Sequence, residues 1–415
     1  MKKIIVLVLL LSTIIVQAQR TCATPQKTQE LINTLPGFAA HHEEMKTYLR
    51  NTSQENIFNK AAAPQVVVTI PVVFHVLYKT ATQNISDAQI LSQLAVLNAD
   101  YRKLNTDFNS VVPSAFRPLG ADMEIAFCLA TRTPTGALTT GITRKSVANS
   151  FSFDNNYYAA SGEPAWDTTK YLNIWVGKFT DNTLLGFAYL PDSAGTNYDG
   201  LCISYTAFGT TGTAASPFNK GRTATHEIGH YFGLDHPWGS DGSNCNTTAN
   251  SDGVADTPAT DNPYYSCPTF PSNTNACTTT TTGSMFMNYM DYVDDACMAF
   301  FTAGQKAIMQ NTLAGPRLSL ITSNNGCGAL SLDDFEAINA IAVYPNPASN
   351  YFQITSPLVA IDEVELFNAL GQLVSKQKLT GTNAQVNVSE LALGTYYIRI
   401  YNQGFFVKSA KIVKQ

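Results

Sequence analysis

The sequence predicts an α+β fold, a mixed twisted sheet with helices packed on it and a loop-rich region behind, followed by a small all-β sandwich. Three observations predict it. The run VVVTIPVVFHVLY from Val66 to Tyr78 is dense in β-branched residues and reads as a buried strand, with a helical repeat after it. Gly239 to Thr282 is rich in Asn, Asp, Ser, Thr and Pro and reads as long loops. From residue 343 to 415 short strands recur at regular spacing, with turn residues between them.

A chain of 415 residues, 45% hydrophobic and 14% charged, buries a large core and divides into more than one unit. Its formal net charge of −5 offers no basic surface for nucleic acid or anionic membrane, so neither is an expected partner. Residues 1–18, MKKIIVLVLLLSTIIVQA, read as a signal peptide: two lysines, an apolar run, then Val16-Gln17-Ala18 as a small-x-small cleavage site. The competing reading, a membrane anchor, is weakened by Ser12-Thr13 inside the run, and no later stretch is long and apolar enough to span a bilayer. Residues 19–62 are polar with helix-like spacing at Leu31-Ile32, Leu35 and Met45 to Leu49, and read as a pro-segment.

The core domain is expected over 63–328. After the first strand, Ser86 and Gln89 form a capping box, and Ile90, Leu94, Leu97, Tyr101 and Leu104 continue at helical spacing for about five turns. Strands are expected at Met123–Ala130, Tyr171–Val176, Phe187–Leu190 and Leu201–Tyr205. A linker over 329–342 leads to the sandwich of 343–415, with strands at Tyr351–Thr355, Val364–Asn368, Gln385–Val388, Thr395–Tyr401 and Phe405–Val413. Eight cysteines in an exported chain should mostly be paired. Cys245, Cys267, Cys277 and Cys297 look like two staples of the long loops, with connectivity that spacing does not give. Cys128 and Cys202 lie on expected strands, as a third pair or as buried thiols.

Residues 226–236 read HEIGHYFGLDH. His226 and His230, four apart on a helix, point from one face, close enough to reach one cation. Glu227 lies beside them, where its carboxylate can contact metal-bound water. Gly233 allows the helix to end in a left-handed turn that brings His236 round as third ligand. Three protein ligands leave a fourth position open, as in catalytic zinc sites. The chemistry expected is amide hydrolysis, with Glu227 taking a proton from activated water and handing it to the leaving amine. A bare pair of histidines would more often be structural, but three of the six histidines fall in this one motif.

The motif is the extended zinc signature of the metzincins, and the chain resembles the pappalysin family, its bacterial members in particular, over about residues 66 to 325. The resemblance implies a zinc-dependent endopeptidase acting on proteins or peptides. It identifies Asn288-Tyr289-Met290-Asp291-Tyr292 as a methionine turn, with Met290 as a packed floor and Tyr292 as a candidate to steady an oxyanion or else an ordinary wall aromatic. It implies the pairs Cys245–Cys277 and Cys267–Cys297, and makes the strand Tyr171 to Val176 the edge to which peptides would add. Calcium in the loops after the motif would fall to Asp252, Asp256 and Thr257, where an Asp-Gly turn without an ion is the alternative. A preference for Arg or Lys after the scissile bond would rest on Asp294 or Asp295.

Cys22 resembles the propeptide cysteine that fills the open zinc position in several metzincins, removable with the pro-segment by a cut between Arg50 and Ala63. Alternatively it pairs with Cys327. Residues 343–415 resemble a type IX secretion sorting domain, carried by Val343-Tyr344-Pro345-Asn346-Pro347, Glu365-Leu366-Phe367-Asn368, Gly371-Gln372, Leu393-Gly394-Thr395-Tyr396-Tyr397 and Lys408 to Lys414. That implies the type IX machinery as a partner and a secreted or cell-surface protein; a sugar-binding or adhesion sandwich is the competing reading. The rival for the whole chain is a non-catalytic, zinc-stabilised surface adhesin.

Overall fold

The computed structural model describes residues 20–59, 67–239, 245, 252–322, 341–356, 361–379, 383–402 and 405–415. The expected signal peptide, Cys327, most of the expected linker and residues 60–63 of the expected maturation stretch lie outside the described residues.

Strand β1 (Thr21–Cys22) comes from the expected pro-segment and is followed by helices α1 (Thr24–Thr34) and α2 (Phe38–Asn59). The core begins with β2 (Val68–Tyr78), whose residues 70–77 are all buried. Such a continuous apolar run is what a parallel strand covered on both faces requires. Helix α3 (Asp87–Tyr101) starts where Ser86 Oγ accepts the Gln89 N–H at 3.2 Å. It ends a turn earlier than its sequence spacing predicts, leaving Leu104 outside it and 69% exposed. Strands β3 (Ile125–Leu129), β4 (Ile142–Ser146), β5 (Leu172–Gly177), β6 (Leu184–Ala188) and β7 (Leu201–Ser204) complete one sheet.

The sheet order is β1-β6-β7-β5-β2-β3, with β4 also paired to β2. All neighbours run parallel except the antiparallel pair β6 and β7. The edge-strand expectation for Tyr171 to Val176 is therefore corrected: β5 lies between β7 and β2. Its residues are all buried, and a strand covered on both faces is central rather than at an edge. The edge is β6, and the residues that add to it here are Thr21 and Cys22 of the chain itself.

Behind the sheet, α3, α4 (Arg222–Tyr231) and α5 (Ala303–Ala314) share one core that includes Ile90, Leu97, Tyr101, Phe232, Phe301 and Ile308. After it, β8 (Ala342–Tyr344), β9 (Tyr351–Thr355), β10 (Glu363–Asn368), β11 (Leu373–Lys378), β12 (Asn383–Asn387), β13 (Gly394–Asn402) and β14 (Phe405–Lys414) form two antiparallel sheets, ordered β11-β10-β13-β14 and β12-β9-β8. Phe352, Ile354, Val364, Leu366, Val386, Ile398 and Ile400 fill the space between them.

His75 on β2 is buried, with Nδ1 2.8 Å from Thr143 Oγ1 and Nε2 2.9 Å from Asn173 Oδ1. Burial pushes it down to about 4. The unfolded chain therefore takes up a proton at His75 between pH 6.5 and 4 while the folded chain does not, so stability falls as pH falls through that window. The loss expected is about 3 kcal/mol. Thermal midpoints of the native chain and of His75→Gln at several pH values check it; equal slopes over that window would remove His75 from the account.

Candidate metal centre

Helix α4 carries the motif, and its residues are all buried between the sheet and the methionine turn. Its first turn is fixed by α3. Asp100 Oδ2 accepts from Thr225 Oγ1 at 2.7 Å and pairs with Arg222 Nε at 3.0 Å, while the Tyr101 hydroxyl donates to the Thr225 carbonyl at 3.0 Å. Burial pushes Asp100 up to about 6 in spite of the Arg222 charge. After α4 the chain turns at Gly233, whose φ of +92° is left-handed backbone that favours glycine, and His236 swings back towards the helix.

The three imidazoles converge. His230 Nε2 lies 3.0 Å from His236 Nε2, which lies 3.3 Å from His226 Nε2. His226 Nδ1 donates to the Tyr289 carbonyl at 2.8 Å and His230 Nδ1 to the Leu234 carbonyl at 2.7 Å, so both turn an unprotonated Nε2 inward. Burial lowers all three, His230 to about 4, and neighbouring imidazoles push His226 and His236 down further. Neutral imidazoles with facing lone pairs in a buried space are the donor set of a cation. Cys22 Sγ completes the group, with all four ligand atoms within 4.8 Å of one another. Cys22 is a free, buried thiol, which removes the alternative pairing with Cys327.

Glu227 is 1% exposed and accepts from Cys22 Sγ at 3.4 Å and Thr24 Oγ1 at 3.3 Å. Burial pushes its carboxyl up to about 8, against the lowering by those two hydrogen bonds and by Arg20. Gly186 on the edge strand makes room for it: a Cβ there would come within 2.9 Å of Glu227 Oε1. Gly229 likewise keeps the helix face open beneath the site, where any side chain would collide with the Met290 sulfur. Met290 is fully buried. Tyr292 packs on His236 and His226, with ring centroids 4.9 and 5.7 Å apart. Burial, with Cys22 and Glu227 nearby, pushes its phenol well above the usual range.

Asp295 is fully buried and ion-paired with Arg20, itself 1% exposed. The Lys220 and Arg222 amides donate to its other oxygen at 2.8 and 3.2 Å, and the Arg20 guanidinium lies 5.2 Å over the Phe218 ring. Asp294 is only partly buried, which raises its carboxyl somewhat. Asp252 accepts the Thr257 hydroxyl at 2.7 Å, and burial pushes it up to about 8. The Asp256 carboxylate turns away to the start of α5, accepting from Thr302 Oγ1 at 2.7 Å and the Gly304 amide at 2.9 Å. Cys245 is bridged to Cys277 and Cys267 to Cys297. Cys128 is disulfide-bonded while Cys202 is a free buried thiol, so these two are not a pair.

Further residues support the site. Trp238 stacks on His236 at 4.6 Å and 8°, and Asp291 accepts the Tyr264 and Tyr292 amides at 2.8 and 2.7 Å, bracing the methionine turn. Their proximity to His236 and Met290 in the chain was the available clue. Arg20 and Thr24 stand two residues either side of Cys22, which was their only clue, and Asp100 lies far from the motif in sequence and had none.

Residues 156–314 match the family described as pregnancy-associated plasma protein-A, and residues 342–415 a secretion system C-terminal sorting domain. An extracellular metalloprotease of Pyricularia oryzae is 30% identical over 316 residues, 73% of this chain and 92% of the relative. One from Arthroderma gypseum is 29% identical over 300 residues, 71% of this chain and 84% of the relative. Among solved structures, Tannerella forsythia mature mirolysin in complex with a cleaved peptide is 47% identical, with a TM-score of 0.58, over 62% of this chain and 97% of that one. A promirolysin mutant of the same bacterium is 43% identical, with a TM-score of 0.61, over 73% and 97%. The chain belongs to the pappalysin family of metallopeptidases. It is a secreted metalloprotease with a type IX sorting domain at its C-terminal end, which sets aside the non-catalytic adhesin. Among the described residues no helix is long and apolar enough to cross a membrane.

Proposed function

We propose that the protein is a zinc endopeptidase kept latent by its own pro-segment, residues 19–62, ahead of a catalytic domain over 63–328. His226, His230 and His236 would hold the zinc, and Cys22 would occupy the space they face until the pro-segment leaves. The observation that carries this reading is the convergence of three Nε2 atoms and one thiol sulfur in a buried space. When bound, zinc supplies Lewis acidity towards water and the scissile carbonyl.

The protein's own groups do the rest. Glu227 accepts a proton from the attacking water and returns it to the leaving amine. In the latent form Cys22 and Thr24 both hydrogen-bond to this carboxyl, so the base is covered together with the metal position. Tyr292, beside two of the imidazoles, donates its phenol to the oxyanion of the tetrahedral intermediate, and Met290 is the floor on which the histidines rest. Asp295 takes the Arg or Lys that follows the scissile bond. Arg20, already paired with it, supports that pocket chemistry from within the chain.

Metal removal tests the core of this. Mature enzyme treated with 1,10-phenanthroline is expected to lose casein cleavage and to regain it with stoichiometric zinc. Activity that survives full metal removal would contradict the assignment. The loop with Asp252 and Thr257 is the proposed calcium site, since a buried carboxylate beside a hydroxyl and carbonyls suits a hard cation. Calcium at a hundred times its Kd is expected to stabilise the chain by about 2.7 kcal/mol. Differential scanning calorimetry with and without calcium reads this, and a response retained in Asp252→Ala would move the site elsewhere.

A further inference from the structure

Helix α2 carries His42, Lys46 and Arg50 at spacings of four, which places them on one face. Each meets the catalytic domain. His42 Nδ1 lies 2.5 Å from Asp192 Oδ2, both groups buried. Lys46 Nζ lies 3.1 Å and Arg50 Nη2 2.6 Å from Asp235 Oδ2. Arg50 also donates to the Asp252 carbonyl from Nε at 3.0 Å and Nη2 at 2.9 Å. Between the basic residues Leu49 is 2% exposed within the main core, and Asn311 Nδ2 donates to its carbonyl at 3.0 Å.

We infer that Asp192, Asp235 and the Asp252 carbonyl form a docking surface for a basic helix face, occupied here by the chain's own residues 42–50. Its occupant is separate in sequence from Cys22 and Arg20, which stand twenty or more residues before His42 and enter the cleft. Asp235 stands between Leu234, whose carbonyl orients His230, and His236, so the surface lies on the loop that carries the third histidine. The pro-segment is thus fastened twice, once by Cys22 and Arg20 in the cleft and once by the ionic contact of Lys46 and Arg50 with this loop. The inference rests on the reading of residues 19–62 as a pro-segment.

Hydrogen exchange on the full-length chain tests it, in a Glu227→Gln background so that self-cleavage does not enter. Lys46→Ala/Arg50→Ala is expected to speed amide exchange in residues 38–50 about tenfold or more, with the β2 and α4 amides unchanged. Lys46→Gln/Arg50→Gln, which keeps part of the aliphatic stems, should do the same, and Lys46→Arg should not. Cys22→Ser should leave the protection of α2 intact. The inference is overturned if only the alanine pair loosens the helix, if neither pair does, or if Cys22→Ser alone frees it. An inactive mature enzyme would instead count against the peptidase reading, because the exchange experiment needs no turnover.

Discussion

Replacing Glu227 by glutamine is expected to lower kcat for peptide hydrolysis by about 10²- to 10⁴-fold while the zinc content stays at one per chain. The substitution keeps the volume that Gly186 leaves free and keeps a hydrogen-bonding end for Thr24, so folding and metal binding have no reason to change. What it removes is basicity. In the latent form burial beneath Cys22 and Thr24 holds this carboxyl at about 8; in the mature enzyme the proposed role needs a carboxylate that accepts a proton from water, which an amide does not do. Steady-state kinetics on a quenched peptide, with zinc measured by atomic emission, checks both halves. A variant within tenfold of the native rate would take the base role from Glu227, and one that lost zinc would leave that role undecided between chemistry and metal retention.

Asp295→Asn is expected to cut kcat/KM for substrates with Arg or Lys after the scissile bond by about 10²- to 10³-fold, the loss of one buried charge pair. Asparagine still offers an oxygen to the Lys220 and Arg222 amides, so the pocket wall survives and the charge alone is withdrawn. Substrates with an apolar residue there should change little. Asp294→Asn should change both classes less than tenfold, because that carboxylate is partly in solvent and surface pairs contribute little. Peptide-library cleavage by the three mature enzymes separates the candidates. Should the basic preference follow Asp294, or persist in both variants, the pocket lies elsewhere.

The metal helix was legible because its chemistry is local: four residues set two histidines on one face, and one glycine turns the chain for the third. The β-sandwich was legible for a similar reason, since strands such as β9 and β13 alternate buried and exposed residues along a short stretch. The sheet order was not. The mostly apolar run in β5 is buried on both faces, and such a run identifies a covered strand without naming its neighbours. Arg20 and Asp295 stand 275 residues apart, and no pattern near either announces the other. The stripe of His42, Lys46 and Arg50 was present at helical spacing, but its acidic counterparts come from separate turns of the catalytic domain, so only the folded chain brings the two halves together.

Leu49 lies in the same interior as Leu97 and Phe232, although it belongs to the part of the chain expected to be cut away. While the peptide bond downstream is intact, the segment meets its seat at an effective concentration on the order of millimolar, set by the tether rather than by secretion. Weak contacts suffice under that condition. On the proposed reading of residues 19–62 as a pro-segment, one hydrolysed bond would replace that tethered concentration by the concentration of the surrounding medium, and dilution outside the cell would then favour release of the segment.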